Sequence, residues 1–154
     1  MAYASGTEVS IDRSRAEIEK VLAKAGAKEF AYWRNEEGSN IAFRIDGLMV
    51  RLTVAAPKPP ADNGKKGQAY RKYKPEQQVR WVEDEEKRRW RVILIAVKAK
   101  LELVAMQQST ILREFMADTV MVNGKLVAEE LEPRIRQMYE LNKMPKTLLL
   151  GSGS

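Results

Sequence analysis

Lys65–Gln108 reads KKGQAYRKYKPEQQVRWVEDEEKRRWRVILIAVKAKLELVAMQQ. It opens as a basic loop studded with tyrosine and becomes the longest helical pattern in the chain. Counted from Trp90 at 100° per residue, Val79, Val82, Trp90, Ile93, Leu94, Val97, Leu101, Val104 and Ala105 share one broad arc. Val92, Ile95 and Leu103 lie on the other side, so from Arg91 onward only a narrow polar stripe of Arg91, Lys98 and Glu102 remains, with Lys100 at the edge of the arc. A helix apolar on nearly all sides is normally buried. The second half is therefore expected to be the core element, with the charged first half, Pro75 to Arg89, projecting outward. Pro75 suits the first helical turn, where its missing N–H costs nothing. Glu83–Lys87, Asp84–Arg88 and Glu85–Arg89 are spaced as i,i+4 pairs, each contributing about 0.2–0.5 kcal/mol.

The chain on either side completes an α+β pattern. Ser10 or Asp12 is placed to cap a helix running to about Ala25, with Ala16, Ile18, Val21, Leu22 and Ala25 on one face and Gly26 as its stop. Residues 1–10 read as frayed. Three strands follow, Glu29–Arg34, Ile41–Ile45 and Leu48–Ala55, linked by a turn at 35–40 and by the two-residue signal Asp46-Gly47. Short links imply an antiparallel meander with one buried and one wet face. Arg44 and Arg51 fall on the wet face, and Trp33 is placed to join them. A Pro- and Gly-rich loop of roughly 18 residues, from Ala56 to about Tyr73, ends the sheet. After the central helix, Gln107-Gln108-Ser109 breaks the pattern. A short helix to Met116, an extended Thr119–Val122, the turn Asn123-Gly124 and a last helix from about Ala128 to Asn142 follow. Leu131, Ile135, Met138, Tyr139 and Leu141 form the expected buried side of that helix, and Leu148–Leu150 form an apolar tail. The architecture expected is an N-terminal helix, a three-stranded antiparallel meander, a long central helix and a C-terminal hairpin with helices. Residues 1–150 make one domain, followed by the flexible Gly151-Ser152-Gly153-Ser154 tail.

Composition narrows the chemistry. The 154 residues include no cysteine and no histidine, which removes thiolate metal sites and the commonest general base and transition-metal ligand. No apolar run approaches the roughly 18–20 residues that span a bilayer, and residues 1–15 are too polar for a signal peptide. Glycine-rich phosphate loops are absent. No cofactor, metal or catalytic residue is expected. Formal charge is +6 overall, but residues 51–100 hold fourteen Lys/Arg against six Asp/Glu, a net of +8, while each flanking third is net −1. The basic excess therefore sits in one region, as polyanion-binding proteins arrange it. Cations interleaved with rings suit single-stranded nucleic acid: cations neutralise phosphates while rings stack on bases at roughly 1–3 kcal/mol each. The candidate contacts are Lys65, Lys66, Tyr70, Arg71, Lys72, Tyr73 and Lys74 in the loop, and Arg80, Trp81, Arg88, Arg89 and Arg91 in the helix. Arg44 and Arg51 on the sheet extend the set.

The stretches MAYASGTEVSIDRSRAEIEKVLAKAGAKEFAY, VEDEEKRRWRVILIAVKAKLELV, MVNGKLVAEELEPRIRQMYE and KMPKTLLLG resemble a family of short phage and prophage proteins, over nearly the whole chain. Separately, the order helix, meander, basic loop, long helix is similar to the core of phage single-strand annealing proteins. That second resemblance implies DNA held in a groove beside the sheet by subunits assembled into rings or filaments. The expectation is a non-enzymatic, homo-oligomeric single-stranded nucleic-acid-binding protein of phage origin, DNA favoured, acting in DNA annealing or recombination in the cytoplasm of an infected bacterium. The alternative is a phage inhibitor of a host protein, such as a CRISPR-type defence complex. A small metal-dependent nuclease is third.

Overall fold

In the computed structural model, which describes residues 2–145, helix α1 (Ala2–Lys24) leads into three strands, β1 (Lys28–Asn35), β2 (Gly38–Ile45) and β3 (Leu48–Ala55). Helices α2 (Pro75–Ala105), α3 (Ile111–Phe115) and α4 (Val127–Leu141) follow. The sheet is antiparallel in the order β1-β2-β3. This is the α+β layout expected, with one change at each end of the first half. Helix α1 begins at Ala2, eight or more residues before the expected caps. Residues 2–9 contain no proline, and Gly6, Ser10 and Asp12 each cost a helix interior no more than about 1 kcal/mol, so none of them breaks the helix. The first hairpin is also tighter than expected. The Asn35 side-chain oxygen accepts from the N–H groups of Glu37 and Gly38 at 3.0 and 3.2 Å. That local bond closes a two-residue turn and releases 38–40 to join β2. Gly38 stands at φ +142 with the Val54 carbonyl 2.1 Å from where a Cβ would be, so no other residue fits there.

One sheet face carries Ile41, Phe43, Ile45, Val50, Leu52 and Val54, and α1 and α2 cover it with Ile18, Leu22, Trp90, Leu94 and Val97. Phe43 is the centre: its ring lies 6.1 Å from Phe30 and meets Phe115 edge-on at 6.0 Å. These are the separations that favour aromatic pairs beyond area burial alone. Lys98–Glu17 ties α2 to α1 at 2.6 Å, and Arg34–Glu86 ties β1 to α2. Thr110 caps α3 by accepting from the Arg113 N–H. The expected extended segment after it contracts to two bridges, Val50↔Thr119 and Val120↔Leu126. The Val120 N–H donates to the Met49 carbonyl at 2.8 Å, so this segment covers the start of the β3 edge. The β1 edge is left to exposed Lys28, Glu29, Arg34 and Asn35, whose charges deter strand addition.

Two helices differ from expectation in their surroundings. The second half of α2 contributes Trp90, Leu94 and Val97 to the core, but Val92, Ile95, Leu103 and Met106 face solvent. Helix α4 buries only Glu130, while Ile135, Tyr139 and Leu141 of its expected buried side are exposed. The periodicity marks an apolar face on each helix, and among the described residues no other element covers it. Asn142, left-handed at φ 48, ends α4 before Pro145. Leu148–Leu150 and Gly151–Ser154 lie outside the described residues.

Asp118 follows α3 in a 3-10 turn, and burial holds its carboxyl above the usual range, partly opposed by Lys100. A raised carboxyl stabilises the fold only while protonated: the gain is complete below the unfolded value of 3.8 and is lost as pH rises through the folded one. Asp118→Asn is therefore expected to melt above the parent at neutral pH. The difference should vanish at acid pH below that unfolded value, and thermal melts at the two pH values check it.

Candidate nucleic-acid interface

The long loop is a folded finger. Its stem is a bridge between Asp62 and Lys72, with the Asn63 N–H donating to the Arg71 carbonyl at 3.0 Å and the Tyr73 N–H to the Ala61 carbonyl at 2.9 Å. Asn63 organises the interior: its side-chain oxygen accepts from the N–H groups of Lys65 and Arg71, and its amide donates to the Ala69 carbonyl. A single 3-10 turn, Gly67–Ala69, makes the bend. This is the mechanism by which Asx side chains replace strand or helix bonds in turns. The finger holds Lys65, Lys66, Tyr70, Arg71 and Lys72 exposed around its tip and flank, and Tyr73 half-buried at its base. Arg71 serves the loop as well as the surface, because its Nη1 donates to the Gln68 and Tyr70 carbonyls at 2.7 Å each.

Lys74 joins the finger to α2. Its N–H donates to the Gln77 side chain at 2.8 Å, and Gln78 reaches back to the Pro60 carbonyl, so finger and helix start are fixed together. On α2, Arg80, Lys87 and Arg91 fall in one stripe by helical spacing, and Trp81 and Arg88 in the next. Glu83 and Asp84 share that face by the same spacing, three and four residues from Arg80, while Glu85 and Glu86 lie to its sides. Glu86 goes to Arg34, and Glu85 takes Arg88 and Arg89 at 3.2 Å each. The hydrogen bond from Arg89 is the main reason the Glu85 carboxyl sits below its ordinary range. Arg89 also donates to the Ala55 carbonyl at 2.7 Å, which makes it a brace between α2 and the end of β3. By contrast, Lys65, Lys66, Lys72, Lys74, Lys87 and Arg91 form no ion pair among the described residues.

The structure ties the finger to the start of α2, with Arg88, Arg89 and Arg91 about 20–25 Å further along the helix and the sheet residues elsewhere. Arg44 and Arg51 alternate with Phe43, Val50 and Leu52, so they point to the face of the sheet away from α2. Each also has a carboxylate: Glu29 on Arg44 at 2.8 Å and Glu129 near Arg51 at 3.8 Å. They belong to a separate surface, with exposed Trp33 and Thr53 in a cross-strand row that runs through buried Asn40.

A small polar cleft of about 190 Å³ escaped the sequence reading. Arg15, Tyr32, Arg34, Asn40 and Trp90 line it, and the Arg15 guanidinium lies 4.1 Å from the centre of the Tyr32 ring. Burial, then the charge and hydrogen bond of Glu19, push the Tyr32 hydroxyl up to about 12. Arg15 Nε and Asn40 Nδ2 are buried without a hydrogen-bond partner. Nothing in the spacing of Arg15 and Asn40 signals this meeting, because it depends on how α1 crosses the sheet. No cluster of acidic side chains fit to hold a metal ion occurs among the described residues, and no described helix is long and apolar enough to cross a membrane.

No protein-family model, curated protein or solved structure matches this chain.

Proposed function

We propose that this chain binds single-stranded nucleic acid, DNA in preference, through the finger and the adjoining outer face of α2. It would act without catalysis as an annealing or recombination factor of phage origin, in the cytoplasm of an infected bacterium. The observation that carries this reading is the set of cations without an ion pair among the described residues, Lys65, Lys66, Lys72 and Lys74, displayed with exposed Tyr70 on a loop held in shape by its own hydrogen bonds and continued along α2 by Arg91. A solvated loop needs no such scaffold. A loop that grips phosphates gains from one, because less ordering remains to be done on binding. Tyr70, 45% exposed, and half-buried Trp81 offer rings to unpaired bases. A duplex keeps its bases stacked and would leave those rings idle, so the single strand is favoured.

Fluorescence anisotropy with a labelled single-stranded oligonucleotide tests the assignment. Tyr70→Ala and Trp81→Ala should each weaken Kd by about 5- to 150-fold, the equivalent of roughly 1–3 kcal/mol per stacked base, without changing the salt dependence. A duplex of the same sequence should bind more weakly than the strand. Unchanged affinity in both variants, with unchanged circular dichroism, would leave a purely electrostatic surface and remove the case for single strands.

A further inference from the structure

We infer that the chain closes its own exposed groove, with Leu148, Leu149 and Leu150 folding back along α4 into the hollow between α3 and α4. The groove has a volume of about 850 Å³ and is floored by Met116, Leu131, Ile135 and Tyr139. Tyr139 is 80% exposed and Ile135 40%. Apolar surface gathered in one concave place marks an interaction site.

What selects the tail is where the described chain ends and which way it is heading. Asn142 takes the left-handed conformation that terminates α4. The N–H groups of Asn142 and Lys143 donate to the carbonyls of Tyr139 and Met138 at 3.3 and 3.2 Å, which turns the chain back on the helix. Pro145 then shares a hollow with Arg134 and Gln137, so the chain is running backwards along α4 at its last described residue. Met144 shares a smaller hollow with Tyr139, which is itself part of the groove floor. Length agrees with this path. Residues 146–150, Lys-Thr-Leu-Leu-Leu, reach about 17 Å when extended at roughly 3.3–3.6 Å each, and the groove runs about 20 Å along the helix from Glu140 to Val127. The three leucines are therefore within reach of Ile135 and Leu131. Tethering decides between this segment and a free partner. A segment joined to its site by a few residues meets it at an effective concentration of about the millimolar range. A separate chain must make the same apolar contacts and also give up its translational freedom.

The inference does not rest on nucleic-acid binding, and it is tested without nucleic acid. The chain has no cysteine, so an introduced pair reports proximity cleanly. Gly151→Cys keeps all three leucines. It is combined either with Ala128→Cys in the groove lining or with Gln137→Cys, exposed on the other side of α4. Gln137 borders the hollow that holds Pro145, so an undocked tail reaches it first. A docked tail reverses the order. Under mild oxidation of dilute full-length chain, the Ala128 pair should close at least about tenfold faster than the Gln137 pair, a factor that burial of one leucine is enough to supply. The product should be a cross-linked monomer. Leu149→Glu added to each pair should abolish the preference with unchanged far-ultraviolet circular dichroism, and Ile135→Glu should abolish it from the groove side. If Ile135→Glu melts early, Leu149→Glu alone decides, because Leu149 is no part of the described core. Equal rates, or faster closure at Gln137, overturn the inference, as does a preference that survives Leu149→Glu. A disulfide-linked dimer from the Ala128 pair also overturns it, since it would place the tail of one chain in the groove of another.

Discussion

Replacing Trp90 with alanine should lower the unfolding free energy by about 3–5 kcal/mol, the usual cost of deleting a large ring from a packed core. Trp90 is 3% exposed and packs in one cluster with the two helices and the sheet. A domain of this size has a total stability of roughly 5–15 kcal/mol, so the variant should lie near or beyond the edge of folding. Ile95, five residues later on the same helix, is 60% exposed, and Ile95→Ala should cost within about 0.5 kcal/mol in the isolated chain. Urea denaturation of both, at a concentration where the chain is monomeric, reads the difference. Equal costs would mean that both sides of α2 are buried within a single copy.

The second large effect concerns affinity. Changing Lys65, Lys66, Lys72 and Lys74 together to alanine removes four cations that have no carboxylate partner within the described residues. At roughly 0.7 per phosphate on a single strand, four lost contacts should flatten the log–log salt slope by about 3. Stability should barely change, because all four side chains are exposed and the finger is held by Asn63 and backbone bonds instead. Arg88→Ala or Arg89→Ala should do less for binding. Glu85 already engages both, and Arg89 braces β3, so its loss is expected to appear in stability as well. Matched anisotropy and melting measurements separate the two classes of residue.

These contrasts show where the sequence was informative. The α+β order, the β3 boundaries and the Pro75 start all follow from local chemistry, and local chemistry does not need the rest of the molecule. Trp90 was assigned to the core by its angular position, and it is there. The first hairpin was missed because Asn35 satisfies two N–H groups by itself, which propensity alone does not weigh against a longer loop. The burial of α2 and α4 was misjudged for a different reason. Periodicity reports that a face is apolar, but whether that face is covered within the chain is decided by the number of layers available. For the candidate interface, the loop and helix residues were legible because they are contiguous in sequence and share one charge. The separation of Arg44 and Arg51 was not, since it depends on α2 packing against the opposite face of the sheet. The Glu85–Arg89 pair is visible as spacing, whereas Arg88, spaced to meet Asp84, also reaches Glu85, and both arginines have less charge to offer a ligand than Lys65 or Arg91.

The salt dependence of Kd for a single-stranded oligonucleotide tests the central claim most directly. With four or more phosphates neutralised by the finger and α2, log Kd against log salt should be linear, with affinity falling at a slope of about −3 or steeper. A flat dependence, or no binding at the lowest salt, would contradict it.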